Sequence, residues 1–283
     1  MSRKKPWRRL RFGLSTILGL KKLGFFIPYR YAERLKEPRA YPALEPAFER
    51  MRPSYERVIV AAEGFIDRLT DFSRAPDPKP RLEQDWFPCL DAVAAYTITR
   101  MQRPSRIIET GAGHSTRFFA LAADDEGIDA ELHAIDPAPR ADLSAYGRIK
   151  IHRHLLQETP PEFWSEFEDG DIVSLDGSHI LMPGTDVDQF LGDILPRVAG
   201  KAILHIHDIC LPDAYPETWG WRGYNEQNAV AGLIASGAFD ILWSSHWVRT
   251  RLAERLAASP LGALPLKPGA IETSLWLAPR RDA

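Results

Sequence analysis

From about residue 81 onward, short apolar runs alternate with longer stretches whose apolar positions recur at helical spacing. The runs predict strands near 105–109, 131–135, 148–152, 171–175, 201–206, 239–243 and 273–278. The stretches between them predict helices near 88–101, 115–124, 184–196, 225–236 and 249–258. Five strands joined by helical crossovers, then a late pair, make an α/β fold: a doubly wound, seven-stranded sheet with helices on both faces. Ahead of it, residues 46–72 read as helix with Pro53 marking a break, and SRAPDPKPR (73–81) is a Pro-rich linker. The expected organisation is a basic amphipathic arm over 1–36, a helical segment with linker over 37–80, and the α/β domain over 81–283.

Charge separates the arm from the rest. Residues 1–36 hold eleven Lys or Arg and one acid, Glu33, whereas the remainder holds 25 basic and 37 acidic side chains, a balance of −12. An acidic body excludes nucleic acid as a partner by bulk charge, and the arm is the basic pole. In the arm, Trp7, Leu10, Leu14, Ile17, Leu18, Leu20 and Phe25 form an apolar side flanked by Lys and Arg. That pattern suits a helix lying on an anionic membrane surface. It equally suits a helix docked on the catalytic domain with its basic face in water. A secretory signal fits poorly, because Lys21 and Lys22 interrupt the apolar core FGLSTILGL and no small-residue cleavage site follows. Pro28 is expected to end whatever helix precedes it. Only two cysteines, Cys89 and Cys210, are present, which suits a reducing cytoplasm. No apolar run approaches the roughly 20 residues that cross a bilayer. The expected location is the cytoplasm, peripheral to the inner face of the membrane if the arm binds lipid.

The most informative segment is RIIETGAGHST (106–116): a short strand ending in an acid, a Gly-x-Gly turn at Gly111 and Gly113, and a helix opening at Ser115 and Thr116. Glycines allow close approach of backbone to ligand, and the free N–H groups of a helix start attract negative charge. The next strand, ELHAID, ends in Asp136, where ribose hydroxyls are usually held. A dinucleotide fingerprint requires a third glycine beneath the pyrophosphate, and Thr116 stands there instead. Glu109 just ahead of the glycines suits a cationic ligand. S-adenosylmethionine satisfies both conditions: it has an amino acid, a sulfonium and an adenosine, and no phosphate.

The sequence resembles the class I S-adenosylmethionine-dependent methyltransferases, in a branch similar to small-molecule O-methyltransferases. WFPCLDAVAAYTITR (86–100), ETGAGHSTRFF (109–119), AIDP (134–137), DIVSLDGSHI (171–180), ILHIHDICLPDAYP (203–216) and YNEQNAVAGLIAS (224–236) carry the resemblance over roughly residues 80–280. It implies a Rossmann-like methyltransferase sheet with the last strand antiparallel, preceded here by an N-terminal helical extension. It also implies a cofactor cradle of Glu109, Gly111, Ala112, Gly113, Ser115, Thr116, Asp136, Asp176 and Gly177.

Ligands bind beyond the carboxyl ends of strands in such sheets, which directs attention to Asp176 to His179 and to His207–Asp208. Asp176 and Asp208, on neighbouring strand ends, lie close enough to share a hard cation that would chelate and acidify an acceptor hydroxyl. His179 has a ring pKa suited to removing that proton. The pattern looks like metal-dependent sugar and polyketide O-methyltransferases, whose acidic pair here begins with His207. That substitution disfavours Mg²⁺ and suits Mn²⁺, Fe²⁺ or Zn²⁺. The plain alternative is that Asp176 caps a turn and His179 merely lies near the adenine. His205, one step deeper than His207, reads as a hydrogen-bonded core histidine. The aromatic loop PDAYPETWGWRGYNEQ (212–227) offers Trp219, Trp221, Arg222 and Tyr224 as walls of an acceptor pocket, or packs on its own domain. Asn225 is expected to cap the helix it begins, with the acid beside it able to face the pocket. Trp86 and Tyr96 sit where a helix often covers the cofactor.

The expected function is methyl transfer to a small molecule, at oxygen, with catalysis by His179, Asp176 and Asp208 and a metal on Asp176, Asp208 and His207. The rivals are a nicotinamide-dependent oxidoreductase and a membrane-peripheral binding module without activity.

Overall fold

A computed structural model describes residues 4–36, 39–76 and 78–280. The chain divides into two units, Met1–Glu37 and Pro38–Ala283. In the first, α1 (Lys4–Ile17) brings Trp7, Leu10, Leu14 and Ile17 to one side at alternating three- and four-residue steps. All four are exposed, Trp7 to 73%. The guanidinium groups of Arg8 and Arg11 lie over Phe12 instead. The helix stops well before Pro28: Gly19 turns with φ +68°, and Leu23 N–H donates to Thr16 Oγ1 at 3.0 Å. The terminator is thus glycine, which tolerates the left-handed region, rather than proline. Phe26 and Ile27 are exposed as well. Among the described residues no helix is long and apolar enough to cross a membrane.

The second unit opens with three helices, α2 (Glu45–Arg50), α3 (Arg52–Glu63) and α4 (Ile66–Asp71). Pro53 does not break a helix; it occupies the first turn of α3, where no N–H is needed, and the break falls at Met51. Then follow α5 (Cys89–Gln102), β1 (Arg106–Thr110), α6 (His114–Glu126), β2 (Glu131–Ile135), β3 (Ile149–His152) and β4 (Ile172–Leu175). The helix expected over 184–196 is α7 (Asp186–Gln189), a π-helical turn (Phe190–Ile194) and α8 (Leu195–Val198). Pro196 has no N–H to give the preceding turn, which widens. The chain ends with β5 (Ile203–Ile206), α9 (Glu226–Ala235), β6 (Phe239–Ser244), α10 (Ser245–Arg251), α11 (Ala253–Ala257) and β7 (Leu275–Pro279).

The seven strands form one sheet in the order β3-β2-β1-β4-β5-β7-β6. β1 to β5 pair in parallel, and β7 runs antiparallel between β5 and β6. The strand order reverses between β1 and β4, and a crevice opens beyond the carboxyl ends there. Near-continuous burial along these strands is what two helical layers impose on a parallel sheet.

The linker at 73–81 does not separate two units. Phe48, Tyr55, Val58, Ile59 and Leu69 join the same core as the sheet, and Tyr55 packs edge-on against Trp243 at 6.2 Å. The described residues of 39–80 therefore belong to the same unit as the sheet and are not a body apart from it.

Two fully buried carboxylates brace the sheet. Asp171, just ahead of β4, accepts from the backbone N–H groups of Ser105 (3.0 Å), Arg106 (2.8 Å) and Glu168 (2.8 Å), tying β1 to β4. Asp91 on α5 accepts from Thr273 N–H (3.0 Å) and Ser274 N–H (2.8 Å), fixing the entry to β7. Charge-assisted bonds to buried amides are each worth about 1.5–3 kcal/mol. Asp171→Ala should therefore lower unfolding stability by about 3 kcal/mol or more in urea titrations. A loss below about 1 kcal/mol would show that the β1–β4 junction does not depend on it.

Candidate active site

The crevice at the β1/β4 junction is a cleft of about 1030 Å³. One wall is the glycine turn. Gly111 has φ +88°, and its N–H donates to Ile135 O at 3.0 Å. A Cβ at Gly111 would overlap the Asp176 carbonyl, so only glycine lets the ends of β1 and β4 meet. Gly113 precedes α6 in extended conformation and donates its N–H to Thr116 Oγ1 at 2.8 Å.

Gly111, Ala112, Gly113, Asp136, Asp176 and Gly177 all line the cleft. Glu109, Ser115 and Thr116 do not; they are buried one layer behind the turn. There Thr116 donates its hydroxyl proton to Glu109 Oε2, while Oε1 of Glu109 has no partner. Burial pushes the Glu109 carboxyl up to about 8, against the opposing bonds from Ser115 and Thr116. Asp136 holds the turn after β2, with Oδ1 accepting from Ala138 N–H at 2.7 Å.

The opposite wall is a cluster of alternating charge. His179 Nδ1 lies 2.8 Å from Glu226 Oε2, and its Nε2 lies 3.4 Å from both Asp176 Oδ1 and Asp208 Oδ2. His207 Nδ1 is 3.4 Å from Asp176 Oδ1, and its Nε2 is 3.3 Å from Asp91 Oδ2. Arg222 reaches Asp208 Oδ2 at 3.2 Å with its guanidinium over Trp219, 4.1 Å from the ring centre. Tyr224 packs against the His179 ring at 4.5 Å. Burial disfavours charge on His179, yet hydrogen bonds with Asp176 and Glu226 outweigh it and push the ring up to about 10. His207 is likewise raised, against burial, chiefly by Asp176. Burial would also lift Asp176, but His207 and His179 hold it well below the usual carboxylate range.

Backbone strain marks both strand ends. His179 (φ +58°) and Asp208 (φ +55°) are left-handed without being glycine, a cost of about 1–3 kcal/mol each that surrounding contacts must hold. Asn225 supplies one such contact. Its side chain does not cap α9 but bonds both the N–H (2.7 Å) and the carbonyl (3.2 Å) of Leu181. Trp219, Arg222 and Tyr224 line the cleft, and Trp221 lies outside it. Trp86 stands exposed at the rim, whereas Tyr96 is far from it, its hydroxyl bonded to Asp125 at 2.7 Å between α5 and α6. His205 is buried between Ser174 (2.8 Å) and Ser274 (2.9 Å), and burial pushes it down to about 3, so it is neutral.

Asp176, Asp208 and His207 do not fit a divalent metal. Both nitrogens of His207 already face carboxylates, and Asp208 is paired with Arg222. Among the described residues no three His, Cys, Asp or Glu side chains are disposed around one ion. The pairs that sequence reasoning missed, Glu226 with His179 and Asp91 with His207, cross 47 and 116 residues and leave no local pattern.

A doubly wound seven-stranded sheet with a glycine turn after β1 and an acid after β2 is the Rossmann-like architecture of class I methyltransferases. Residues 108–209 match the model of a family described as "Methyltransferase domain". The matched segment, from within β1 to just past β5, is thus a methyltransferase domain that uses S-adenosylmethionine. No curated protein matches it. Among solved structures it is similar to an SAH-bound methyltransferase of Podospora anserina, at 16% identity over 91% of this chain and 100% of that one, with a TM-score of 0.42. It is also similar to a branched-chain polyamine synthase of Thermus thermophilus in complex with N4-aminopropylspermidine and 5'-methylthioadenosine. There the identity is 15%, over 77% of this chain and 63% of that one, with a TM-score of 0.41.

The raised Glu109 carboxyl gives a signed expectation. Its folded-state proton affinity exceeds the unfolded one, so its contribution is full below the ordinary Glu range and is lost as pH rises through about 8. Glu109→Gln cannot ionise. Its Tm should gain on the wild type as pH is raised from about 5 to about 9 in thermal melts. A difference independent of pH would refute the raised carboxyl.

Proposed function

We propose that this protein transfers the methyl group of S-adenosylmethionine to an oxygen of a small molecule seated beside His179, Asp176 and Asp208. One observation carries the reading: a single cleft brings the glycine turn and Asp136 together with that cluster. The residues fit the cofactor, since backbone alone forms the wall at Gly111 and the unpartnered Oε1 of Glu109 lies behind it. When bound, the cofactor supplies a methyl carbon on a sulfonium, already a good leaving group. Gly111, Ala112, Gly113 and Gly177 hold its amino-acid end by backbone, with Asp176 beside them. Glu109 lies behind that wall with its Oε1 unpartnered, and Ser115 and Thr116 keep the carboxyl in place. Asp136 takes the ribose hydroxyls.

The protein's remaining task is to aim the acceptor and remove its proton. His179 takes that proton, and Asp208 and Asp176 orient the hydroxyl and favour the resulting imidazolium. No metal enters this reading. Trp219, Tyr224 and Arg222 wall the acceptor side; because Arg222 is paired with Asp208, the acceptor meets a neutralised edge there.

We also propose that residues 1–36 rest on an anionic bilayer surface, placing the protein at a cytoplasmic membrane face. The exposed stripe of Trp7, Leu10, Leu14 and Ile17 supports this, as does the count of eleven basic residues in the segment. Each basic group near such a surface contributes about 1 kcal/mol.

Calorimetry should detect heat with S-adenosylmethionine or S-adenosylhomocysteine and none with a nicotinamide dinucleotide. Asp136→Ala should weaken binding about tenfold or more, the worth of a charged hydrogen bond. Dinucleotide binding with no heat for the sulfonium compound would sink the methyl-transfer reading. For the arm, the full chain should float with phosphatidylserine vesicles and not with neutral ones, and deletion of 1–36 should abolish flotation. Flotation unchanged by the deletion discards the membrane element.

A further inference from the structure

Glu226 stands behind the cleft wall, 1% exposed at the first position of α9. Among the described residues its side chain pairs with the His179 ring, and its second oxygen, Oε1, has no partner. The main chain repeats the connection: the His179 carbonyl accepts from the N–H groups of Asn225 (3.1 Å) and Glu226 (3.3 Å). Ring and backbone of His179 are both keyed to the start of one helix, and its left-handed φ follows from that double attachment. With Nδ1 engaged by Glu226, Nε2 is the nitrogen left for the carboxylates of Asp176 and Asp208, and so for the cleft.

We propose that Glu226 is the positioning residue of the reaction: it holds the His179 ring with Nδ1 protonated and Nε2 turned to the acceptor, and it shelters the imidazolium that forms. The inference rests on the methyl-transfer reading. In that reaction the acceptor O–H bond breaks as its oxygen bonds the methyl carbon. The C–S electron pair leaves with sulfur, and the proton ends on Nε2. A buried carboxylate on the far nitrogen fixes the tautomer and stabilises the charged ring, a role that needs no contact with substrate.

The other charges around the ring come from each neighbouring element. Asp176 follows β4, Asp208 follows β5, and Tyr224 faces the ring from the loop before α9. Arg222 and His207 neutralise the outer sides of Asp208 and Asp176. Among the described residues His179 is the cationic partner of Glu226, with Asp186 and Tyr215 as its other titratable neighbours. The ring is pushed up to about 10, and the proton-accepting form therefore grows as pH rises towards that value. A cation seated beside Asp176 competes for the same carboxylates and lowers the ring's proton affinity.

The test follows the His179 ring nitrogens by NMR in the full chain labelled with ¹⁵N-histidine, the signals being assigned by their loss in His179→Gln. Removing the negative charge destabilises the imidazolium. Glu226→Gln should thus lower the ring's proton affinity at least tenfold and turn the neutral ring from Nδ1–H into mixed tautomers. Glu226→Asp, one methylene shorter, should keep Nδ1–H with a smaller drop. A wild-type midpoint and tautomer in a folded Glu226→Gln overturn the proposal. Should that variant not fold, Glu226→Asp decides: a lowered midpoint supports the role, and an unmoved one overturns it. S-adenosylhomocysteine calorimetry on the wild-type sample separates the two readings, because absent heat sinks methyl transfer and leaves the ring signals to judge Glu226.

Discussion

The site depends on one close approach: the Gly111 backbone pressed on the carbonyl of Asp176. Any side chain there would push the ends of β1 and β4 apart. The strand order reverses at that junction, so a crevice exists only while the two ends stay together. Asp171 fastens the opposite end of the same strand pair by collecting three backbone N–H groups. The pair is thus clamped at both ends, by a missing side chain above and a buried carboxylate below. Asp176 and the glycine turn are carried on the same rigid base.

On that base the protein concentrates charge it does not expose. Asp91, His207, Asp176, His179 and Glu226 form an unbroken series in which carboxylate and imidazole alternate, with Asp208 and Arg222 as a branch. Buried charges are tolerable only when paired. Alternation meets that condition while leaving each imidazole among three acids. The same pairing explains why Asp176, Asp208 and His207 do not suit a metal: each already faces a partner of opposite charge.

Much of this was legible in the sequence. All seven strands lie within about two residues of where apolar runs predict them, because burial on both faces writes the central strands β1, β4 and β5 as continuous runs. The glycine turn and Asp136 were legible because ligand-facing backbone needs specific residues at fixed places. Pro53 misled because proline both breaks helices and starts them, and only the neighbours at Met51 decide which. The linker misled because its composition signals an exposed loop, which is not the same as a boundary between cores; Tyr55 and Trp243 meet across it. Glu226 and Asp91 were invisible as partners, since each sits inside a helix and meets its histidine only after folding.

The two bonds from the Asn225 amide to Leu181 carry a consequence for traffic through the cleft. They lock the stretch after β4 to the beginning of α9, so that side behaves as a fixed jamb. Ser178 is fastened further by Asp186 through its N–H at 2.7 Å and its hydroxyl. Admission of a bulkier guest must then be accommodated across the gap, where Trp86 projects into water beneath the guanidinium of Arg140. That indole and Arg140 form the rim of the cleft opposite its charged wall.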